Sequence, residues 1–155
     1  MSSRFKPYLT VALMIEHEGR FLVVEEKDEY DNLVFGFPAG HVDAKESIVQ
    51  AAIREGFEET GRQVELDHLV GIYDYVKDDE TILRFLFKAH FKDAHDLMSL
   101  TPADPDGDIL AIKWYSKDEM LDQKDSWRTR LIGYNLDDYL NGKSISLSHL
   151  TTVVP

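Results

Sequence analysis

Cysteine is absent from the 155 residues, which excludes disulfides, thiolate metal sites and cysteine nucleophiles and fits a cytoplasmic protein. Basic residues are scarce: 17 Lys and Arg stand against 29 Asp and Glu, a formal charge of -12. Affinity for a phosphate backbone comes from Lys and Arg, so this balance argues against a protein that grips a nucleic acid polymer. A small phosphorylated partner stays open, provided divalent cations bridge the two negative surfaces. No apolar run approaches the ~20 residues of a membrane span, and the opening MSSRFKPYLT holds no apolar core of signal-peptide length. The six histidines show no HExxH or other ligand spacing. Repeats and low-complexity tracts are missing as well, and 43% hydrophobic with 30% charged residues describes one ordinary globular domain over residues 1–155. The chain length leaves monomer and homodimer open.

What the chain does have is concentrated between Gly40 and Gly61, GHVDAKESIVQAAIREGFEETG. A helix turns by roughly 100° per residue, so Glu55, Glu58 and Glu59 share one face. Like charges held this close repel, and the usual remedy is a cation. Carboxylate oxygens are hard donors suited to Mg2+, with Mn2+ as the substitute. A solvated acidic helix salt-bridged by Arg54 is the plain alternative.

The spacing is more specific than the clustering. It runs Gly40, five residues, Glu46, seven residues, Arg54-Glu55, two residues, Glu58-Glu59, one residue, Gly61. This resembles the signature of the Nudix hydrolase family and fills each of its polar and glycine positions. Two positions that are apolar in the signature hold Gly56 and Arg62 instead. A helical glycine costs about 1 kcal/mol relative to alanine, so Gly56 marks either close backbone packing or a tolerated weakness.

The resemblance implies an α/β/α sandwich around a mixed β-sheet (class α/β, or α+β), with residues 40–61 as the catalytic loop-helix-loop. It implies metal ligation by Glu55, Glu58, Glu59 and the Gly40 carbonyl. Arg54 would then orient the glutamates, and Glu46 would be structural. The reaction implied is attack of a metal-activated water on a phosphorus of a diphosphate linkage. Its base is a motif glutamate or an acid from a later loop: Glu58 is the first choice, with Asp106 and Asp108 in reserve. The stretch Asp104 to Asp108 is not a calcium loop, because the sixth position is Ile109 and the twelfth is Tyr115. A narrower similarity, through Arg4 to Pro7, Phe21 to Glu26, Pro38 to His41 and Leu83 to Phe87, is to the bacterial NudJ-type branch. That branch acts on nucleoside di- and triphosphates and on a pyrimidine pyrophosphate. The competing readings are a catalytically inactive nucleotide- or metal-binding module of the same fold and an acidic protein-interaction domain.

Elsewhere the chain alternates strand signals with turns. Tyr8 to His17 and Phe21 to Val24 read as a β-hairpin around Glu18-Gly19, and their continuous apolar runs suggest strands covered on both faces. Leu33 to Phe37 reads as a short strand that Pro38 ends. Ser47 to Thr60 reads as a helix packing through Ile48, Val49, Ile53 and Phe57, with Gly61 as its C-cap. Val64 to Val76 and Thr81 to Phe91 read as strands, with Gly71 marking a bulge or a break in the first. Asp93 to Pro105 is an exposed connection and Ile109 to Tyr115 a strand. Ser116 and Glu119 form a capping box, Arg128 to Leu140 is a helix, and Ile145 to Pro155 has strand character. Three residues are candidates for substrate contact: His41 beside Gly40, Arg84 as a charge inside an apolar strand, and Phe35 as an aromatic for a heterocycle.

Overall fold

The computed structural model describes residues 3–155. Strand β1 (Tyr8–Met14) lies between β5 (Ala39–His41), antiparallel to it, and β7 (Thr81–Phe91), parallel to it; β6 (Val64–Val76) pairs antiparallel with β7 at the sheet edge. A second, antiparallel sheet is built on β3 (Arg20–Lys27), flanked by β4 (Leu33–Gly36) and β8 (Ala111–Ser116), with β2 (Glu16–His17) against its start.

Alternation along β1 divides the core. Val11, Leu13 and Ile15 face one layer with Ala51 and Ala52, whereas Ala12 and Met14 face another with Met120, Ile132 and Leu136. Strand β3 does the same, with Leu22 and Val24 on the first side and Phe21 and Val23 on the second. Helix α1 (Ile48–Thr60) covers the first side, and α2 (Lys117–Asp122) and α3 (Leu131–Leu140) cover the second. The fold is therefore mixed α+β, with a central mixed sheet between helices. Burial on both faces is what the unbroken apolar runs require.

The expected hairpin forms only at its tip. Both edges of β1 are occupied by β5 and β7, so only Glu16 and His17 pair with β3, around Glu18 and Gly19 at φ 50° and 75°. The strand expected to stop at Pro38 resumes as β5. There Leu13 N donates to Pro38 O at 2.8 Å. Arg128 does not open α3: its N–H donates to Phe35 O at 2.9 Å, and the helix starts at Leu131. The tail is no strand either, holding one bridge from Ile145 to Leu69 and a short 3-10 turn at Leu147–His149. The connection after Asp93 is only partly exposed, since Leu97 is buried and its carbonyl accepts from Trp114 Nε1 at 3.1 Å.

Helix α1 begins with a capping box, Ser47 Oγ accepting from Gln50 N and Gln50 Oε1 accepting from Ser47 N, and ends on Gly61 at φ 77°. Its inward face is made of small residues. Ala51, Ala52 and Gly56 are buried; of the expected packing set, Ile48 and Val49 lie against the core while Ile53 and Phe57 are exposed. Gly56 is there for close approach: a Cβ would stand 2.8 Å from both Leu13 Cδ1 and Val64 Cγ2. Gly56→Ala should therefore lower the urea midpoint, because overpacking of about 1–3 kcal/mol outweighs the ~1 kcal/mol gained in helix propensity.

Candidate functional site

Two adjoining clefts meet at β5. The acidic cleft, about 370 Å³, is lined by Glu55, Glu58 and Glu59 of α1, Glu26 of β3, and Asp104, Asp106 and Asp108 from the 92–110 connection. The basic cleft, about 480 Å³, carries Lys77, Arg84, Arg128 and Arg130, with Tyr8, Phe37, Tyr75 and Trp127 as aromatic walls. Ala39, Gly40, His41 and Arg128 line both.

Arg54 organises the acidic side. It grips Glu46 through Nε and Nη2 at 2.7 and 3.0 Å, and Nη1 donates to Glu55 at 2.8 Å and to Glu58 at 3.1 Å. Nη2 also donates to the His41 carbonyl at 2.9 Å, tying helix to strand. These charge-assisted bonds hold the Glu46 carboxyl below its ordinary range and raise the guanidinium further above its own. Glu59 is buried and accepts from Ala39 N at 2.9 Å. Burial pushes its carboxyl well above the usual carboxylate range, against that hydrogen bond, and raises Glu55 and Glu26 too.

An acid whose folded-state pKa is raised stabilises the fold below its unfolded value of 4.5 and loses that contribution as pH rises through the folded value. Thermal unfolding in chelator should therefore show Tm falling as pH is raised from mildly acid to mildly alkaline. The slope should be shallower in Glu59→Gln; equal slopes would contradict this origin. Glu46 works in the opposite sense, since its lowered carboxyl contributes above 4.5 and loses that contribution only in acid.

Gly40 explains its own place in the motif. A Cβ there would lie 2.2 Å from Glu55 Cδ and Oε1. As they stand, among the described residues no three carboxylate or imidazole groups converge as a metal cluster. Glu55 and Glu58 are turned onto Arg54, and Glu59 onto the Ala39 amide. The donor chemistry nevertheless suits a hard divalent cation: oxygen ligands only, partly desolvated, beside a backbone with no Cβ.

The sequence-derived candidates divide clearly. Glu55, Glu58, Glu59, Arg54, Gly40 and His41 are brought together, and Asp106 and Asp108 reach the same cleft. The Asp104 carboxylate clasps its own loop, accepting from the amides of Asp106, Asp108 and Ile109. Arg84 lies in the basic cleft, where its hydrogen bond is to Thr10 Oγ1 at 3.4 Å; burial and the nearby Arg128 push its pKa down to about 10. Phe35 is a correction. It is 2% exposed, packs edge-on against Tyr115 at 5.1 Å and lines neither cleft, so it belongs to the core. Phe37, just past the end of β4, is one of the aromatics that do line the basic cleft. Glu26, Arg128 and Trp127 were not anticipated as site residues; no local motif marks them.

The two departures from the motif both have structural roles. Gly56 admits Leu13 and Val64, and Arg62 binds the 93–96 segment through the carbonyls of Asp93, His95 and Asp96. A further bond, Ala103 N to Glu58 O at 2.8 Å, ties the acidic connection to α1.

Comparison with known proteins gives a consistent result. The family model described as NUDIX domain matches residues 6–133. The chain is 37% identical over 145 residues to the protein named phosphatase NudJ in Escherichia coli K12, covering 92% of this chain and 90% of that protein. A solved NUDIX hydrolase from Nitrosomonas europaea superposes with a TM-score of 0.85 at 34% identity, covering 96% of this chain and 98% of the other. A MutT NUDIX hydrolase from Burkholderia pseudomallei, 23% identical, shares the fold with a TM-score of 0.70 over 86% of this chain and 98% of its own.

Proposed function

The chain belongs to the Nudix hydrolase family, and from that premise we propose a Mg2+-dependent pyrophosphohydrolase acting on a nucleoside di- or triphosphate or a related pyrophosphate. The observation that carries the reading is the contact between an acidic cleft and a basic, aromatic-walled cleft across Gly40 and His41. A diphosphate needs both: oxygen ligands for the cation at the reacting phosphorus, and cations for the remaining negative charge.

Glu55, Glu58, Glu59 and Gly40 would hold Mg2+, or Mn2+ in its place. Bound there, the ion supplies an activated water and offsets phosphate charge. Arg54 fixes the rotamers of Glu55 and Glu58, which keeps their oxygens on the cleft side of α1. Glu58 is our choice for the proton acceptor, with Asp106 and Asp108 as alternatives on the opposite wall. Arg84 faces an anionic group of the substrate, which would offset the burial of its own charge. His41, set edge-on to Tyr8 at 5.6 Å, offers a rim for a heterocycle. Among the described residues no helix is long and apolar enough to cross a membrane, and we place the protein in the cytoplasm as a single domain.

The test is a panel of nucleoside di- and triphosphates, sugar nucleotides and pyrimidine pyrophosphates. Release of phosphate or pyrophosphate that requires divalent metal supports the proposal. Tight binding without turnover on any member would favour the inactive module instead. That reading is weakened by the retention of all motif glutamates and by the structural roles of Gly56 and Arg62.

A further inference from the structure

Arg128 is held at both ends. Its backbone N–H donates to Phe35 O at 2.9 Å, Trp127 before it forms a parallel bridge with Phe35, and the Trp127 indole donates to Met120 O at 2.9 Å. Its guanidinium donates through Nη1 to Glu26 Oε1. Glu26 is 9% exposed, on a strand buried through most of its length. A guanidinium has five N–H donors. Glu26 is the only hydrogen-bonded side-chain partner of Arg128 among the described residues, and Arg128 is half exposed toward the clefts it borders. A surface ion pair would leave both partners free to swing and would contribute little. Here one partner is buried and the other is fixed by its backbone.

We propose that Arg128 binds phosphate at the junction of the two clefts, and that Glu26 is a positioning residue that aims its guanidinium there. Arg128 borders both clefts, and among the cations lining them it is the one with that place. Arg84, Lys77 and Arg130 line the basic cleft alone, and Arg54 is committed to Glu46, Glu55 and Glu58. A diphosphate spanning the junction would present oxygens to the free edge of the fork, which a planar guanidinium meets bidentately and an ammonium does not. Removing Glu26 would leave the charge but not its direction.

The kinetic arm of the test rests on the hydrolase reading; the binding arm does not. Imidodiphosphate, a non-hydrolysable pyrophosphate analogue, is titrated calorimetrically in Mg2+ buffer into wild type, Arg128→Lys, Arg128→Gln, Glu26→Gln and the surface control Lys117→Gln. Arg128→Lys should weaken binding ~10-fold and Arg128→Gln more, the control remaining as wild type. With the best substrate of the panel, Glu26→Gln should raise KM ~5-fold with kcat within ~2-fold, a split that a merely structural loss would not give. Melting temperatures identify any variant that fails to fold, and Arg128→Lys, whose side chain is half exposed, keeps the test decisive if Glu26→Gln does. Arg128-dependent binding by a protein that hydrolyses nothing would sink the hydrolase reading and leave this one standing. Normal binding by Arg128→Lys and Arg128→Gln, or no binding by wild type, overturns it.

Discussion

Replacing Glu55 or Glu59 by glutamine is expected to lower kcat at least ~100-fold each, the scale of losing a catalytic or metal-holding group, whereas Glu46→Gln costs clearly less. The geometry separates the three. Glu55 and Glu59 are four residues apart on the cleft face of α1, and amidating either replaces a partly desolvated carboxyl, a ligand oxygen for the cation, with an amide. Among the described residues the Glu46 side chain binds Arg54 and the Asp43 amide alone, at 2.7, 3.0 and 3.0 Å; without it Arg54 keeps Glu55, Glu58 and the His41 carbonyl. Glu59→Gln retains an oxygen for the Ala39 amide and removes a carboxyl whose ionised form burial disfavours, so lost activity would not be accompanied by unfolding. Steady-state kinetics with Mg2+, paired with thermal melts, decide the matter. The assignment fails if Glu46→Gln proves the most damaging, or if Glu59→Gln turns over normally.

Gly40→Ala is expected to be nearly as harmful, although it alters no chemical group. The added methyl falls 2.2 Å from Glu55 Cδ and Oε1 and 2.6 Å from Oε2. Glu55 is itself tied to Arg54 at 2.8 Å, so relief moves the carboxylate off its partner or moves β5 off β1. Misplacement of a reacting group by about 1 Å is enough to cost ~100-fold. We expect that order of loss in kcat with a folded protein by circular dichroism. Because the damage runs through Glu55, Gly40→Ala should add little to Glu55→Gln in the double variant. Additive losses would show that the glycine acts by another route.

These expectations rest on residues whose place could be read from spacing. Glu55, Glu58 and Glu59 share a face because a helix has a fixed pitch, and the capping residues Ser47 and Gly61 bound that helix within the chain itself. Arg128 and Glu26 are 102 positions apart and meet only because β3 and β4 pair and residues 127–128 run against Phe35. No local pattern encodes such a meeting. Ile53 and Phe57 misled for a related reason: their spacing marks an apolar face, but the side that α1 turns to the core carries Ala51, Ala52 and Gly56, with Ile48 and Val49 at its first turn, and leaves Ile53 and Phe57 outside. Strand β5 was obscured because its three residues, Ala39 to His41, belong to the motif as well as to the sheet.

The edge position of β6 bears on how the protein behaves in a tube. Apart from the bridge at Leu69, its outer side has no strand partner among the described residues, and Ile72 and Val76 are 51% and 69% exposed along it. Unpaired strand edges recruit strands from other molecules, and charge is a common protection. Here Asp74 sits between the two apolar residues, with Asp78 and Asp79 just beyond, inside a chain of formal charge -12. That protection is electrostatic. Colloidal stability should therefore be poorest near the isoelectric point of about 4.8, where long-range repulsion vanishes and the edge is left to find a partner.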